Sequence, residues 1–164
     1  MMKTNKILIN QSTSNIVSLK VVGSFGSIEK QLSGSDFFYK ENSFFFFSKS
    51  SYKSFLAHLT NWLNGVTYGY FVELSFIGLG YRFILLNNFV LLKIGYGHYI
   101  RLKVPNSMHI FGYKKRLIIF GLDLQELNLF VQELKQFRKI DRYKGKGIRL
   151  VGEVVSLKVG KQKA

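Results

Sequence analysis

Two stretches of the chain repeat apolar side chains with the spacing of an amphipathic helix. In residues 52–64 the apolar positions follow the pattern i, i+3, i+4, i+7, and residues 123–138 repeat it. Gly65 comes directly after the first stretch, at the position where a glycine often ends a helix. We therefore predict one helix over each stretch, with the first helix ending at Gly65.

The other apolar residues fall in short runs that are typical of strands. These runs cover 16–22, 28–32, 43–48, 70–77, 81–86, 89–95, 99–104, 108–111 and 116–120. Asn87-Asn88 separates two of them and predicts a two-residue hairpin turn, because asparagine tolerates positive φ. Strands followed by a helix occur twice, which predicts the α+β class and two tandem modules, 1–68 and 69–164.

The apolar content does not predict insertion into a membrane. The most apolar region is 70–92, and Glu73 and Arg82 interrupt it. A membrane-spanning helix needs about 20 consecutive apolar residues, and the chain has no such window.

The net charge indicates a polyanionic partner. The chain has 24 Lys and Arg residues against 9 Asp and Glu residues, which gives a formal charge of +15. Residues 101–164 contain 15 basic and 5 acidic residues, so the excess lies mainly in the C-terminal part. Nucleic acid and an anionic membrane surface are the partners that such a charge favours.

Residues that could support catalysis or bind a metal are few and scattered. The chain has no cysteine, and its histidines, at 58, 98 and 109, lack metal-ligand spacing to one another or to carboxylates. Phosphate-binding motifs of nucleotide enzymes are also missing. We therefore predict a protein that is not an enzyme and has no catalytic residues, metal, cofactor or small-molecule substrate.

The candidate site is a basic, glycine-containing segment that follows the second predicted helix. Glycines let backbone N–H groups approach a phosphate, lysines supply point charges, and arginines can bind phosphates bidentately. Tyr143 could stack on an unpaired base. The predicted RNA-binding residues are Arg138, Arg142, Tyr143, Lys144, Gly145, Lys146, Gly147, Arg149, Lys158, Lys161 and Lys163.

The same segment resembles a known family. YKGKGIR at 143–149, followed by Gly152-Glu153, is similar to the C-terminal motif of bacterial-type large-subunit ribosomal protein six. Upstream, NGVT at 64–67, GLGYR at 78–82 and GYGH at 95–98 resemble further motifs of that family, in the same order.

The resemblance implies two homologous modules, each an antiparallel sheet packed on one helix. It also implies a structural constituent of the large ribosomal subunit that supports its assembly and translation. The expected partners are neighbouring large-subunit proteins and the 3′ region of large-subunit rRNA near the sarcin–ricin loop, beside the translational GTPase site. The sequence departs from the family pattern at Ile140 and Arg142, which replace prolines, and at Ser156, where arginine is common.

The composition suggests an origin. Lys outnumbers Arg 18 to 6 and Ala occurs twice, a bias towards residues with A/T-rich codons. Together with the lack of an Arg-rich presequence, this bias leads us to expect a protein encoded in an organelle genome and located in the mitochondrion. Two alternatives remain open: a standalone basic RNA-binding module that does not reside on the ribosome, and a basic protein of a membrane surface.

Overall fold

The structure, a computed structural model, describes residues 6–13, 16–33, 37–40 and 43–160. The chain forms two compact units. The first unit extends to Tyr70 and also includes Leu122–Leu124, whereas the second contains Phe71–Gly121 and resumes at Gln125. A short segment that ends at the first residue of the second helix therefore belongs to the first unit.

The first unit combines a three-stranded sheet, a strand pair and a helix. Its elements are β1 (Lys6–Thr13), β2 (Ile16–Val22), β3 (Ser27–Ser33), β4 (Phe37–Lys40), β5 (Ser43–Phe46) and α1 (Lys49–Tyr68). The sheet has the order β1-β2-β3, and its pairings, like that of β4 with β5, are antiparallel. The sequence patterns predicted β2 and β3 but missed β1 and β4.

The core of the first unit is formed by one face of β2 and the buried side of α1. Along β2, the buried residues Val17, Leu19 and Val21 alternate with half-buried ones, as expected for a strand with one face against the core. Trp62 and Val66 lie one turn apart on α1 and are buried in the same cluster as Leu19 and Val21. Of the predicted helical stripe, Phe55, Leu59, Trp62 and Leu63 pack in this cluster, whereas Tyr52 and Leu56 are exposed.

The prediction that α1 ends at Gly65 is wrong. The helix begins after Ser48, whose hydroxyl accepts a hydrogen bond from the Ser51 N–H at 3.2 Å, and it continues to Tyr68. Its cap is Gly69, which has a φ of 72° and donates its N–H to the Gly65 carbonyl at 2.8 Å. Gly65 instead lies where a Cβ would overlap the carbonyl oxygen of Leu122. Its missing side chain serves close packing rather than termination.

The remaining elements make up most of the second unit. They are β6 (Tyr70–Ile77), β7 (Arg82–Leu86), β8 (Phe89–Lys93), β9 (Ile100–Lys103), β10 (Met108–Tyr113), β11 (Arg116–Gly121), α2 (Leu124–Phe137) and β12 (Gly147–Leu150). One sheet has the order β10-β11-β6-β12 and the other the order β7-β8-β9. Leu86 pairs with Phe89 across Asn87-Asn88, so the predicted hairpin turn is confirmed.

The core of the second unit takes its side chains from strands and helix alike. On α2 the buried residues follow the predicted spacing, and the α2 prediction is confirmed to within one residue at each end. Strands β6, β11 and β12 contribute fully buried residues as well. The core residues of these elements are Leu74, Phe76, Leu117, Ile119, Leu127, Phe130, Val131, Leu134 and Ile148. Helices combined with antiparallel sheets confirm the predicted α+β class.

Within the described residues, neither helix is both long enough and apolar enough to cross a bilayer.

A buried ion pair connects Leu122–Leu124 to the sheet of the first unit. Lys30 on β3 places its Nζ 2.6 Å from Oδ2 of Asp123, whose side chain is only 6% exposed. Burial and, second, the negative charge of Asp123 raise the pKa of Tyr70. Because opposite charges attract more strongly away from water, this pair holds the segment before α2 in place.

We expect Asp123→Asn to lower the free energy of unfolding by about 1–3 kcal/mol, because it removes the charge that Lys30 pairs with in a water-poor site. Urea denaturation followed by circular dichroism measures this loss. The control is Glu73→Gln, which removes the carboxylate of the more exposed Arg116–Glu73 pair and should cost less than about 1 kcal/mol. Equal losses from both variants would contradict the buried role of Asp123.

Candidate nucleic-acid interface

The basic segment predicted from the sequence is a loop held at both ends by the core of the second unit. It leaves α2 after Phe137 and returns to regular structure at β12, which pairs antiparallel with β6 from Gly147 opposite Ile77 to Leu150 opposite Leu74. Leu134 before the loop and Ile148 after it are fully buried. The sequence did not predict β12, which shortens the free loop to residues 138–146.

Asp141 organises the inside of this loop. Its carbonyl accepts a hydrogen bond from the Gly145 N–H at 2.8 Å, and its N–H donates to the Lys146 carbonyl at 2.8 Å. Its carboxylate accepts the Tyr143 N–H at 2.9 Å, an arrangement that stabilises a turn. The loop therefore has its own constraints at the place where the family resemblance leads one to expect prolines.

The two predicted glycines shape the loop in different ways. Gly145 has a φ of +66°, a conformation that costs other residues more than glycine. Gly147 is buried, and a Cβ on it would lie 2.8 Å from the Cα of Ile140. The strand can thus run close against the backbone at 139–140 only because this position has no side chain.

Most of the predicted cationic side chains surround the loop and face solvent. The exposed residues are Arg142, Tyr143, Lys144, Lys146 and Lys158, while Arg138 and Arg149 are half-buried. Tyr143 is 60% exposed, so its ring is accessible for stacking. The loop thus presents several charges and one aromatic ring from a fixed backbone.

Lys158 joins this group through a backbone contact. Its N–H donates to the Arg142 carbonyl at 2.9 Å, and a Cβ on Gly145 would lie 3.6 Å from Leu157. The segment after β12 therefore runs alongside the loop. Lys161 and Lys163, which were predicted as binding residues, lie outside the described residues.

The sequence reasoning from residue types missed Tyr96 as a partner of the loop. Its ring lies 5.3 Å from the guanidinium carbon of Arg138, and its hydroxyl donates to the Phe137 carbonyl at 3.0 Å. A hydrogen bond with Tyr96, the largest cause, raises the pKa of Arg138. An open cleft of about 470 Å³ beside this pair is also lined by Lys139, Asp141 and Lys146. The GYGH motif was the signal that could have pointed to Tyr96.

Glu153 is a second residue whose role the residue types did not reveal. Its carboxylate accepts hydrogen bonds from Lys135 Nζ on α2 at 2.8 Å and from the Leu150 N–H at 2.9 Å. The hydrogen bond from Lys135, followed by that from Leu150, lowers the pKa of Glu153. Glu153 thus ties the turn after β12 to the helix that precedes the loop.

This arrangement suits the binding of a polyanion. Cations at several angles around a rigid loop can neutralise successive phosphates, and the exposed tyrosine can stack on a base. Among the described residues, no group of histidines and carboxylates could hold a metal ion. The geometry therefore supports electrostatic and stacking contacts with nucleic acid.

Comparison with known proteins identifies close relatives. No protein-family model matches the chain. Large ribosomal subunit protein uL6 of Lactobacillus delbrueckii subsp. bulgaricus is 33% identical over 156 residues, covering 91% of this chain and 89% of the relative. The protein of that name from Persephonella marina is 39% identical over 105 residues, covering 64% of this chain and 59% of the relative. Large ribosomal subunit protein uL6m of Reclinomonas americana is 37% identical over 106 residues, covering 64% and 57%. The chain thus covers less than two thirds of the length of the last two relatives.

We expect Glu153→Gln to lower the free energy of unfolding by about 0.5–1.5 kcal/mol near neutral pH. The pKa of Glu153 lies below its ordinary 4.5 in the folded protein, so its contribution is complete above that value. The contribution disappears as the pH falls through the lowered pKa. Urea denaturation of wild type and variant at about pH 7 and about pH 3 should show the larger difference at the higher pH. A difference that grew as the pH fell would contradict the role of Glu153 in tying the turn after β12 to α2.

We expect Gly147→Ala to destabilise the protein by about 1–3 kcal/mol, because the new methyl group must displace the backbone of Ile140. Thermal unfolding measures the effect. Gly97→Ala is the matched control, since a Cβ there has no neighbour within 4 Å. If the two variants unfolded alike, the close approach at Gly147 would not matter for the fold.

Proposed function

The chain belongs to the family of large ribosomal subunit protein uL6, and from this membership we propose that it is a structural constituent of a large ribosomal subunit and not an enzyme. The main support is the 33% identity to a relative of that name over 91% of the chain. The net charge of +15 supports the same role, because a protein surrounded by rRNA must neutralise phosphates.

We further propose that the loop at 138–146 and the segment at 147–158 bind large-subunit rRNA. The contacts would come from the exposed cations and from Tyr143. Gly145 and Gly147 would let the loop backbone turn and approach the RNA closely. Support comes from the exposure of Arg142, Lys144 and Lys146 on a backbone that hydrogen bonds hold in place. Lysines act as point charges, and arginines bind phosphates bidentately. Such a mixed set of cations suits several phosphates along an RNA backbone better than a single anion.

The proposed location on the rRNA is its 3′ region near the sarcin–ricin loop, beside the translational GTPase site. This finer proposal is supported by the resemblance of YKGKGIR at 143–149 to the family motif. In the same way we propose the mitochondrial ribosome as the cellular location. Support for this comes from the A/T-coded composition and from the mitochondrial relative in Reclinomonas americana, although the other relatives described here are bacterial.

Sedimentation of native particles tests the proposed function. We expect the chain to sediment with large subunits at physiological salt. Recovery mainly in the free fractions would overturn the proposal and favour a standalone RNA-binding module. Chemical footprinting of rRNA in particles with and without the chain would then test the finer location, since protection should centre on the sarcin–ricin region.

A salt titration of rRNA binding tests the loop. We expect Lys144→Ala/Lys146→Ala to reduce the slope of log affinity against log salt by about 2, because two phosphate contacts are lost. The matched control is Lys49→Ala/Lys53→Ala, which removes two exposed lysines from α1 in the first unit and should leave the slope nearly unchanged. Equal changes in both double variants would contradict a binding site on the loop.

A further inference from the structure

A groove along α2 has no place in the proposed rRNA contacts. It is an open depression of about 610 Å³ in the second unit. Its lining includes Pro105, Met108, Glu126, Leu129, Phe130 and Glu133. We refer to these six residues as the α2 groove.

The α2 groove has an apolar floor and one exposed apolar side chain. Met108 and Phe130 are almost completely buried below it. Leu129 is 70% exposed, although it lies on the otherwise polar side of an amphipathic helix. Removing an exposed leucine side chain from water is favourable, so Leu129 is well placed to contact an apolar side chain of a partner.

The charge of the α2 groove is opposite to that of the chain. Glu126 and Glu133 lie three residues before and four residues after Leu129, so both stand beside it on the same side of the helix. Ser107 donates a hydrogen bond to the Glu126 carboxylate at 2.8 Å, which holds this carboxylate at the rim. The one basic residue of α2, Lys135, is bound to Glu153 instead.

This charge pattern decides which kind of partner fits. A phosphate backbone in the α2 groove would meet two carboxylates and no cation of the helix, so RNA is disfavoured. A lysine- or arginine-bearing polypeptide finds complementary charge there. The chain as a whole is +15 and repels cationic peptides, so binding of such a peptide must come from a local acidic site.

We propose that the α2 groove docks a basic segment of another polypeptide, which places an apolar side chain on Leu129 and basic side chains beside Glu126 and Glu133. This inference rests on the proposed function in that the partner would be a neighbouring protein of the same particle. It deepens that function by giving the second unit two surfaces of opposite charge. The loop binds rRNA, and the α2 groove binds protein.

Titration of the purified full-length chain with short peptides tests the proposal. The probes are a peptide of alternating Lys and Leu, a Lys/Ser peptide of equal charge, and a Glu/Leu peptide. We expect the Lys/Leu peptide to bind best and to shift the amide resonances of α2. Leu129→Ser and Glu133→Gln should each weaken this binding by about fivefold or more.

Matched controls exist for both variants. Leu79→Ser removes another strongly exposed leucine, and Glu29→Gln removes an exposed carboxylate in the first unit; neither should change binding of the Lys/Leu peptide. Unweakened binding by Leu129→Ser and Glu133→Gln would overturn the proposal. The proposal would also be overturned if the Lys/Leu peptide did not bind, or if the Lys/Ser or Glu/Leu peptide bound equally well. Shifts of the α2 resonances on addition of an rRNA fragment would contradict it too. The titration involves no ribosome, so its failure is distinct from failure to sediment with large subunits.

Discussion

The pairing of β12 with β6 is the interaction on which the candidate interface depends. Cations crowded into a short loop repel one another, and a free loop would spread them apart. In the second unit, the backbone hydrogen bonds of this pairing and the complete burial of Ile148 fix the exit of the loop, while the buried Leu134 fixes its entry. The free energy of the core therefore holds the charges together. The loop therefore presents its charges in a fixed arrangement, and such a preorganised surface lowers the entropic cost of binding for any polyanion it takes up.

The few acidic residues explain how so basic a chain keeps a defined shape. Asp123 binds Lys30 within the first unit, Asp141 closes the turn of the loop, and Glu153 ties the end of β12 to α2. A cation compensates two of these carboxylates, Lys30 at Asp123 and Lys135 at Glu153, whereas Asp141 accepts the Tyr143 N–H. Glu126 and Glu133 differ because they border a groove on the outer side of α2. The distribution of carboxylates thus separates a basic loop from an acidic face of α2.

Particular residues show how far sequence patterns can predict this structure. Amphipathic spacing predicted both helices, and the asparagine pair predicted a hairpin turn, because these signals are local. Gly65 was misjudged because a glycine after an apolar stripe has two uses, and its close approach to Leu122 depends on a residue far along the chain. Strand β12 was missed because it lies in a basic, glycine-containing segment, and it forms by pairing with a strand about 70 residues earlier.

By itself, the sequence determined the α+β class, the family, and the concentration of positive charge near the C-terminus. These properties follow from local periodicity, ordered motifs and composition. Only the tertiary structure decided that Gly147 runs against the backbone of Ile140, that Tyr96 supports Arg138, and that Glu153 bridges Lys135 and Leu150. The physical reason is that the contacts at Tyr96 and Glu153 join residues far apart in the sequence: the Tyr96–Phe137 hydrogen bond beside Arg138 spans 41 positions, and the Lys135–Glu153 pair spans 18. Such distances carry no local pattern, and packing alone brings the partners together.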